Sequence, residues 1–313
     1  MIIQKLKEQG GIKLLILYLK SGVLLYAFLQ ILLTGKSKKS LEIVRLGVQL
    51  KIRNKLYKKY KNELCNQYEK TTKISTPSNK VWVCWLQGIE NAPDLVQICY
   101  KSLKTNLSNK EVILITEANR KRYITLPDYI EEKYAKGIIT HTHFSDILRV
   151  ALLSNYGGTW IDATVYCSGK NIPLYMLDSD FFVFQNLKPG ADGHVLNMSS
   201  WFMTAQKGNI LITSIEKLLY AYWKNHNYLI DYFLLHHFFS IASEVYPDEW
   251  KKIIKYPNSL PHILLLNFFE PFNHNHYQEL IKICPFHKLS YKHKQEIHDI
   301  KGTYYEHILN LDK

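Results

Sequence analysis

The sequence has 313 residues, of which 47% are hydrophobic and 13% aromatic. That much apolar surface excludes a disordered or low-complexity chain, and the length allows either one large globular domain or two smaller ones. Lys and Arg total 40 against 27 Asp and Glu, and this net charge of +13 predicts an anionic partner such as a membrane surface or a nucleic acid.

The N-terminal part begins with an apolar segment. Residues 14–34 (LLILYLKSGVLLYAFLQILLT) are apolar apart from Lys20, Ser21 and Gln30. Lys20 leaves an uncharged run that is short for a bilayer span, so we expect a helix lying in the membrane interface. A transmembrane anchor and an amphipathic helix packed on the protein's own core are the alternatives. A cleaved signal peptide is disfavoured because no small-residue cleavage site precedes Lys36.

A cluster of positive charges follows between residues 36 and 61, where Glu42 is the only acidic residue. The basic residues are Lys36, Lys38, Lys39, Arg45, Lys51, Arg53, Lys55, Lys58, Lys59 and Lys61. The apolar neighbour favours an anionic membrane surface as the partner. No nucleic acid is expected, because no RNA-binding motif, helix-turn-helix signature or zinc-finger spacing accompanies the charge. The cluster also predicts a cytoplasmic protein, peripheral or monotopic on the inner face of the cell membrane.

The five cysteines are odd in number, widely spaced and without a CxxC pair, which predicts reduced thiols. Residues 71–80 (TTKISTPSNK) are rich in Ser and Thr and include a Pro, which indicates a linker. We therefore predict an N-terminal helical, membrane-associating basic region at residues 1–75 and a catalytic domain at residues 76–313.

Strand-like and helix-like segments alternate after this boundary. Residues 81–86 (VWVCWL) and 111–116 (EVILIT) have the composition of buried strands, and residues 91–103 between them have helical apolar spacing. The surroundings of Ile138 and Ile139 predict a third short strand. This alternation predicts an α/β fold with a parallel-rich sheet, in which ligands bind beyond the C-terminal ends of the strands.

Residues 145–155 (SDILRVALLSN) predict a buried helix that begins at Ser145 as N-cap. Asp146 and Arg149 are three residues apart and project from the same face of this helix. A buried ion pair needs further partners, and a ligand is one candidate. A simple intrahelical salt bridge is the alternative.

Tyr156, Gly157 and Gly158 then end the helix, and residues 159–166 (TWIDATVY) predict a strand that Asp162 interrupts. A carboxylate within an apolar strand is costly to bury unless it is paired. A divalent cation bound to a diphosphate would offset that cost, and oxygen ligands suit magnesium or manganese. The alternative is that Asp162 accepts hydrogen bonds from a turn.

Residues 144–164 (FSDILRVALLSNYGGTWIDAT) resemble the core motif of the sugar-binding DXD-containing glycosyltransferases, which include the family 32 enzymes and the capsular polysaccharide synthesis proteins. The family pattern has an Asp and an Arg on a helix, two glycines, and Asp-x-Asp at the end of a strand. Asp146, Arg149, the two glycines and Asp162 match this pattern, whereas Thr164 replaces the second Asp. The resemblance covers residues 81–292 in arrangement, and residues 1–80 lie outside it.

The resemblance implies a retaining transferase with a nucleotide-binding mixed sheet of the GT-A type, flanked by helices and preceded here by the N-terminal helical basic region. It implies catalytic roles for Asp146, Arg149 and Asp162, with the first two holding the donor sugar and Asp162 contacting the ribose and the metal. It also implies Mn²⁺ or Mg²⁺ as cofactor, bound by Asp162 and, more weakly, by Thr164. Gly158 would lie in the donor site.

A second match lies at residues 81–93 (VWVCWLQGIENAP), which resemble the family's first strand and loop. The resemblance implies that Trp85 stacks on the donor base and that Gln87 and Gly88 let the backbone approach the nucleotide. A core tryptophan is the alternative for Trp85.

Residues 287–292 (HKLSYK) resemble a C-terminal loop that closes over the diphosphate. This resemblance makes Ser290 and Lys292 candidates for donor binding, with Lys292 neutralising the leaving phosphate.

Looser matches at residues 197–205 (NMSSWFMTA) and 231–237 (DYFLLHH) occupy positions that shape the sugar and acceptor pockets in related enzymes. They imply acceptor-side roles for Trp201, Asp231 and His236. A helix N-cap is the alternative for Asp231, and a core or surface position is the alternative for His236.

Together these features predict a metal-dependent, bacterial-type glycosyltransferase that moves a sugar from a nucleotide-sugar donor to a growing capsular, lipopolysaccharide or other cell-surface polysaccharide, with retention. The expected acceptor is a glycan or a lipid-linked oligosaccharide. A non-catalytic glycan-binding or assembly protein on the same fold is the first alternative, because Thr164 replaces an acidic ligand. A membrane-associated nucleic-acid binder, favoured by the net charge, is the second.

Overall fold

The computed structural model describes residues 11–64, 77–187, 193–293 and 300–311. The helices are α1 (Gly11–Lys20), α2 (Leu24–Thr34), α3 (Lys38–Tyr60), α4 (Asp94–Asn106), α5 (Arg120–Tyr123), α6 (Asp128–Ala135), α7 (His141–Tyr156), α8 (Leu174–Asp178), α9 (Ile210–Asn225), α10 (Leu234–Val245), α11 (Pro247–Lys251), α12 (Ile263–Leu266), α13 (His274–Ile283) and α14 (Tyr304–Asn310). Short 3-10 helices span Lys61–Glu63, Ile89–Asn91 and Leu260–His262.

The strands are β1 (Lys80–Cys84), β2 (Glu111–Ile115), β3 (Gly158–Ile161), β4 (Val165–Cys167), β5 (Phe181–Gln185), β6 (Met198–Ala205) and β7 (Phe286–Lys288). Five of them form one sheet in the order β2-β1-β3-β6-β5, and β4 pairs with β7 in a second sheet. In the larger sheet, β1 is parallel to β2 and β3, while β6 is antiparallel to β3 and β5. The structure confirms the predicted mixed α/β fold, with helices flanking a mixed sheet.

The helix that precedes β3 is longer than the sequence predicts. It begins at His141, and the hydroxyl of Thr140 caps it by accepting a hydrogen bond from the His143 backbone N–H at 3.3 Å. The predicted N-cap, Ser145, lies inside the helix and donates its hydroxyl to the Thr142 carbonyl. The apolar period alone did not show the first turn, because that turn consists of histidine and threonine.

Two further elements differ from prediction. The strand expected near Ile138 is absent from the described structure: Ile138 and Ile139 form the turn after α6, and both donate their backbone N–H to the Lys133 carbonyl. The strand expected over residues 159–166 is divided into β3 and β4 by a turn at residues 162–164, closed by a 3.0 Å hydrogen bond from the Val165 N–H to the Asp162 carbonyl.

Gly157 and Gly158 join α7 to β3 with positive φ angles of 66° and 100°. A Cβ at Gly158 would lie 2.3 Å from the Lys80 carbonyl oxygen, and one at Gly157 would lie 2.7 Å from the Lys207 nitrogen. Both glycines are therefore needed for the tight connection that brings α7 back along the sheet.

The N-terminal helices share a hydrophobic core with the sheet. Buried residues of α3, such as Val48, Ile52 and Leu56, belong to the same cluster as Leu148 of α7 and Phe238 of α10. The predicted domain boundary at residue 75 and most of the predicted linker lie outside the described residues, so the boundary stays a prediction.

Within the described ranges, none of the helices is by itself long and apolar enough to cross a membrane. Residues 14–20 and 24–34 meet that requirement only as a pair, and the two helices are bent by 119° relative to each other. Cys84, Cys99, Cys167 and Cys284 are free thiols, as the sequence predicts, and Cys65 lies outside the described residues.

Candidate active site

The C-terminal edge of the parallel strands gathers most of the predicted catalytic residues. Because α7 leads through a tight turn into β3, its N-terminal half lies beside the C-terminal end of that strand. Arg149 is about 12 Å along the helix from this turn, and Asp162 is about 13 Å along the strand, so the two side chains arrive at the same level. The connection between helix and strand therefore explains why residues 13 positions apart meet.

Asp162 lies at the first position beyond β3, where its backbone N–H donates to the Trp201 carbonyl at 2.8 Å. Its Oδ1 accepts a hydrogen bond from Trp160 Nε1 at 2.9 Å and one from Arg149 Nη2 at 3.1 Å. Its Oδ2 lies 3.4 Å from Lys288 Nζ. The side chain is 27% exposed, so the carboxylate is held from inside through one oxygen and remains accessible.

Arg149 is the buried centre of the cluster. Its Nη1 donates to the Ser200 carbonyl, its Nη2 lies 3.1 Å from Asp162 and 3.4 Å from Asp146, and its guanidinium lies 4.9 Å from the centroid of the Trp160 ring. A planar guanidinium suits such a site because it can bridge two carboxylates while it stacks on an aromatic face. Arg149 thus fixes the spacing between the two acids.

Asp146 is held by a chain of contacts that continues into the core. His143 Nδ1 lies 3.4 Å from Asp146 Oδ2, and Trp223 donates its indole N–H to His143 Nε2 at 2.9 Å. Since an indole only donates, Nε2 must be unprotonated and Nδ1 carries the proton toward Asp146. Burial alone would raise the pKa of Asp146, but Arg149 and His143 outweigh it and lower that pKa, so Asp146 is an anion.

Lys288, in the last position of β7, occupies the space between Asp162 and Thr164. Its ammonium donates to Thr164 Oγ1 and lies 3.4 Å from Asp162 Oδ2. The backbone fixes this position, because Lys288 pairs with Val165 across the antiparallel β4–β7 ladder and the Leu289 N–H donates to the Thr164 carbonyl at 2.9 Å. The side chain is 21% exposed, on the accessible side of the cluster.

The sequence predicts that Asp162 and Thr164 bind Mn²⁺ or Mg²⁺, and the donor set in the structure does not fit such an ion. A hard divalent cation needs several oxygen ligands. Of the two predicted ligands, only Asp162 is a carboxylate, and its Oδ1 accepts from Arg149 and Trp160. Lys288 lies 3.4 Å from the Asp162 Oδ2 and donates to the Thr164 hydroxyl. In the described ranges, no group of three or more His, Cys, Asp or Glu side chains is arranged to hold a metal.

The donor-side residues form a second part of the site. Trp85 follows β1, whose C-terminal end lies at the same edge as that of β3, and its ring packs edge-on against Tyr291 with centroids 5.8 Å apart. Its indole N–H is buried and lacks a partner among the described residues. Gln87 is exposed in the following turn, and Gly88 has a positive φ of 85°.

For three predicted donor residues, the described contacts are with groups other than the two carboxylates. Gly158 begins β3, at the opposite end of the strand from Asp162, and is buried against the Lys80 backbone. Ser290 Oγ accepts a hydrogen bond from the Lys292 backbone N–H at 3.2 Å, and Lys292 is exposed with its Nζ 5.8 Å from the centroid of the Tyr291 ring. In this structure Lys288, four residues earlier, reaches the carboxylate.

The predicted acceptor residues lie on two different elements. Trp201 is 6% exposed, its ring stacks on Phe184 with centroids 4.5 Å apart, and its indole N–H donates to Asn258 Oδ1 at 3.1 Å. Only the backbone of Trp201 contacts Asp162, so its side chain serves the core. Asp231 accepts the Phe233 N–H at 2.7 Å, ahead of α10.

His236 lies on the first turn of α10, close enough to Asp146 and Arg149 for their charges to affect it. Burial lowers the pKa of His236 to about 4, and its Nδ1 is buried without a partner among the described residues. A neutral imidazole here offers a hydrogen-bonding atom near Asp146 without adding charge.

Sequence reasoning missed His143, Lys288 and Tyr232. The spacing of His143 from Asp146 is a helical i,i+3 signal that a correct helix start would have revealed. Tyr232 is 62% exposed, and partial burial, followed by the nearby charges of Asp146 and Asp162, raises its pKa, which indicates a position at the rim of the site. Lys288 lies in residues 287–292, the segment that the sequence analysis selected. Only the β4–β7 register shows that Lys288, and not Lys292, contacts Asp162.

Comparisons with known proteins match this chain to a family and to a solved structure. Residues 35–308 match the family described as "Capsular polysaccharide synthesis protein". The match begins before α3, so it includes much of the region that the sequence analysis placed outside the resemblance. Among solved structures, the chain is similar to one described as "PaToxG Glycosyltransferase", with 13% identity, a TM-score of 0.38, and coverage of 67% of this chain and 86% of that one. Among curated proteins, none matches the sequence.

Proposed function

Because this chain belongs to the capsular polysaccharide synthesis protein family, we propose that its glycosyltransferase activity moves a sugar from a nucleotide-sugar donor to a growing cell-surface glycan. The observation that carries the proposal is the cluster of Asp146, Arg149 and Asp162 at the C-terminal edge of the sheet, the edge at which open α/β sheets bind ligands. The cluster is buried on its inner side and accessible at Asp162 and Lys288, as a site that receives a polar ligand must be.

Asp146, Arg149 and Lys288 have different roles in the proposal, and each role follows from the environment of the side chain. Asp146, kept ionised by Arg149 and His143, is an acceptor for donor-sugar hydroxyls. Arg149 is held on four sides and therefore fixes the geometry of both carboxylates without rearranging during the reaction. Lys288 supplies positive charge where the diphosphate departs. We propose retention of the anomeric configuration, in line with the family resemblance.

A membrane-attached acceptor is the second part of the proposal, and the N-terminal helices support it. Leu25, Phe28 and Leu32 follow one another at helical spacing on α2 and are 71%, 57% and 63% exposed, while Ala27 on the opposite face is buried. An apolar helix face of this kind, next to exposed lysines of α3, fits the interface of an anionic bilayer. The protein would then lie on the cytoplasmic face of the membrane.

The loop of residues 226–233 links this surface to the site. Its Ile230 carbonyl accepts a hydrogen bond from the Ser21 hydroxyl at 3.1 Å, in the turn between α1 and α2. Two residues later in the chain, the exposed Tyr232 is near enough to Asp146 and Asp162 for their charges to raise its pKa. A lipid-linked oligosaccharide anchored beside the N-terminal helices would thus have a short path to the donor.

The test is a calorimetric screen of nucleotide sugars, each with and without Mn²⁺, followed by assays of donor hydrolysis and of transfer to lipid-linked acceptors. We expect one donor to bind with micromolar affinity and to be turned over. A protein that binds glycans but neither binds nor hydrolyses any nucleotide sugar would be the non-catalytic assembly protein, and the proposal would then be wrong.

A further inference from the structure

The Lys288 ammonium has a specific position in the site. It lies between the Asp162 carboxylate and the Thr164 hydroxyl, which are the two positions that correspond to the acidic residues of Asp-x-Asp. An ammonium there places one positive charge at the point where the motif otherwise places a cation. The loss of an acid at position 164 and the presence of a lysine facing it are thus complementary changes in charge.

The hydrogen-bonding capacity of the ammonium points to a further ligand. A lysine has three N–H donors. One is directed at Thr164 Oγ1, and Asp162 Oδ2 lies at an ion-pair distance of 3.4 Å, which leaves a donor on the accessible side of a side chain that is 21% exposed. Arg149 and Lys288 balance the charges of Asp146 and Asp162, so the cluster has no net negative charge to repel a diphosphate, and the free N–H of the ammonium is its donor for a phosphate oxygen.

The lysine is also preorganised. The β4–β7 ladder pairs Val165 with Lys288 and Cys167 with Phe286, and the Leu289 N–H closes the ladder on the Thr164 carbonyl at 2.9 Å. A charge that is already in position costs little reorganisation when a phosphate arrives, which is what electrostatic stabilisation of a leaving group requires.

We propose that the Lys288 ammonium takes the place of the divalent cation in this transferase, binding the donor diphosphate directly, so that donor binding and transfer proceed without metal. The inference rests on the proposed function and specifies how the same site binds its donor.

The experiment measures binding of UDP, GDP and ADP by calorimetry to the full chain after dialysis against EDTA, and again with 1 mM Mn²⁺, with inorganic pyrophosphate as a base-free probe. For wild type we expect the preferred diphosphate to bind with affinities within about threefold in the two conditions. Lys288→Ala should weaken binding roughly 10- to 100-fold, the effect of losing a hydrogen bond to a charged group, whereas Lys288→Arg should retain most of it. Lys282→Ala, on the exposed face of α13, is the matched control.

A double variant makes the prediction sharper. Lys288→Ala combined with Thr164→Asp recreates two carboxylates without the ammonium, and its diphosphate binding should now require Mn²⁺. Circular dichroism and the thermal midpoint establish that each variant is folded. The inference is overturned if wild type loses binding in EDTA and regains it with Mn²⁺, or if Lys288→Ala binds the diphosphate as tightly as wild type does. If no nucleoside diphosphate or pyrophosphate binds in either condition, the proposed function and the inference both fail.

Discussion

Replacing Arg149 by methionine tests whether the guanidinium holds the two carboxylates together. The Arg149 side chain is 5% exposed, and the substitution removes the permanent positive charge beside Asp146, which is 12% exposed, and leaves His143 as its ion-pair partner. Asp162 retains Trp160 and Lys288, so the loss falls mainly on Asp146. Removing one partner of a buried ion pair costs about 3–5 kcal/mol, which for a chain of this length corresponds to a fall in Tm of roughly 5–8 °C.

The stability deficit of Arg149→Met should also depend on pH in a defined direction. In wild type the pKa of Asp146 is lowered, so its contribution to stability is present at neutral pH and is lost as the pH falls through the folded-state pKa. Without Arg149, burial dominates and raises that pKa. The variant is then penalised most at neutral pH, and its deficit relative to wild type narrows as the solution is acidified and Asp146 takes up a proton.

The assay is urea unfolding at pH 7.5, 6.5 and 5.5 for wild type, Arg149→Met, Asp146→Asn and the double variant. We expect the double variant to be more stable than Arg149→Met, because no unpaired carboxylate remains. A cost below about 1 kcal/mol for Arg149→Met, or no recovery in the double variant, would refute the buried pair as the organiser of the site.

Three other predictions follow from the structure. Asp162→Asn keeps the shape of the side chain but removes the charge that faces Lys288. The rate of sugar transfer should fall at least about 100-fold, with the Tm within a few degrees of wild type. Near-normal turnover would show that Asp162 has no role in the reaction. Leu25→Glu with Leu32→Glu places charges on the exposed face of α2 and should reduce flotation with anionic vesicles at least roughly tenfold, whereas unchanged flotation would assign membrane contact to another surface. Burial raises the pKa of Cys99 to about 12, so peptide mapping after maleimide treatment at pH 8 should find this thiol unmodified until the protein is unfolded. Rapid labelling of Cys99 in the native protein would contradict its burial.

The membrane prediction needs point variants rather than removal of the N-terminal helices. Val44, Val48 and Ile52 of α3 are buried in the core that the sheet also uses. Deleting residues 1–61 would therefore expose apolar core surface and confound a loss of vesicle binding with a loss of folding. Side chains such as Leu25, which point away from the core, can be changed without that effect.

Local patterns in the sequence were sufficient for the mixed α/β fold and for the motif that contains Asp146, Arg149 and Asp162. A strand composition, a helical period and two adjacent glycines each act over a few residues, and the geometry of a helix returning along a strand follows from their lengths. The same patterns placed the helix start at Ser145 instead of His141 and predicted one strand where the structure has two, because polar first turns and strand breaks leave little periodic signal.

The tertiary structure decided which positive charge faces Asp162. The sequence drew attention to residues 287–292 and to Lys292, but the β4–β7 register brings Lys288 to Thr164 and Asp162. Likewise, the contact of His143 with Asp146 and Trp223, and the position of Tyr232 at the rim, depend on how helices from distant parts of the chain pack. Local sequence determines which residues lie on one face of a strand or helix. The charge balance of this site depends on residues more than 100 positions apart, and only the packed fold brings them within a few ångströms of one another.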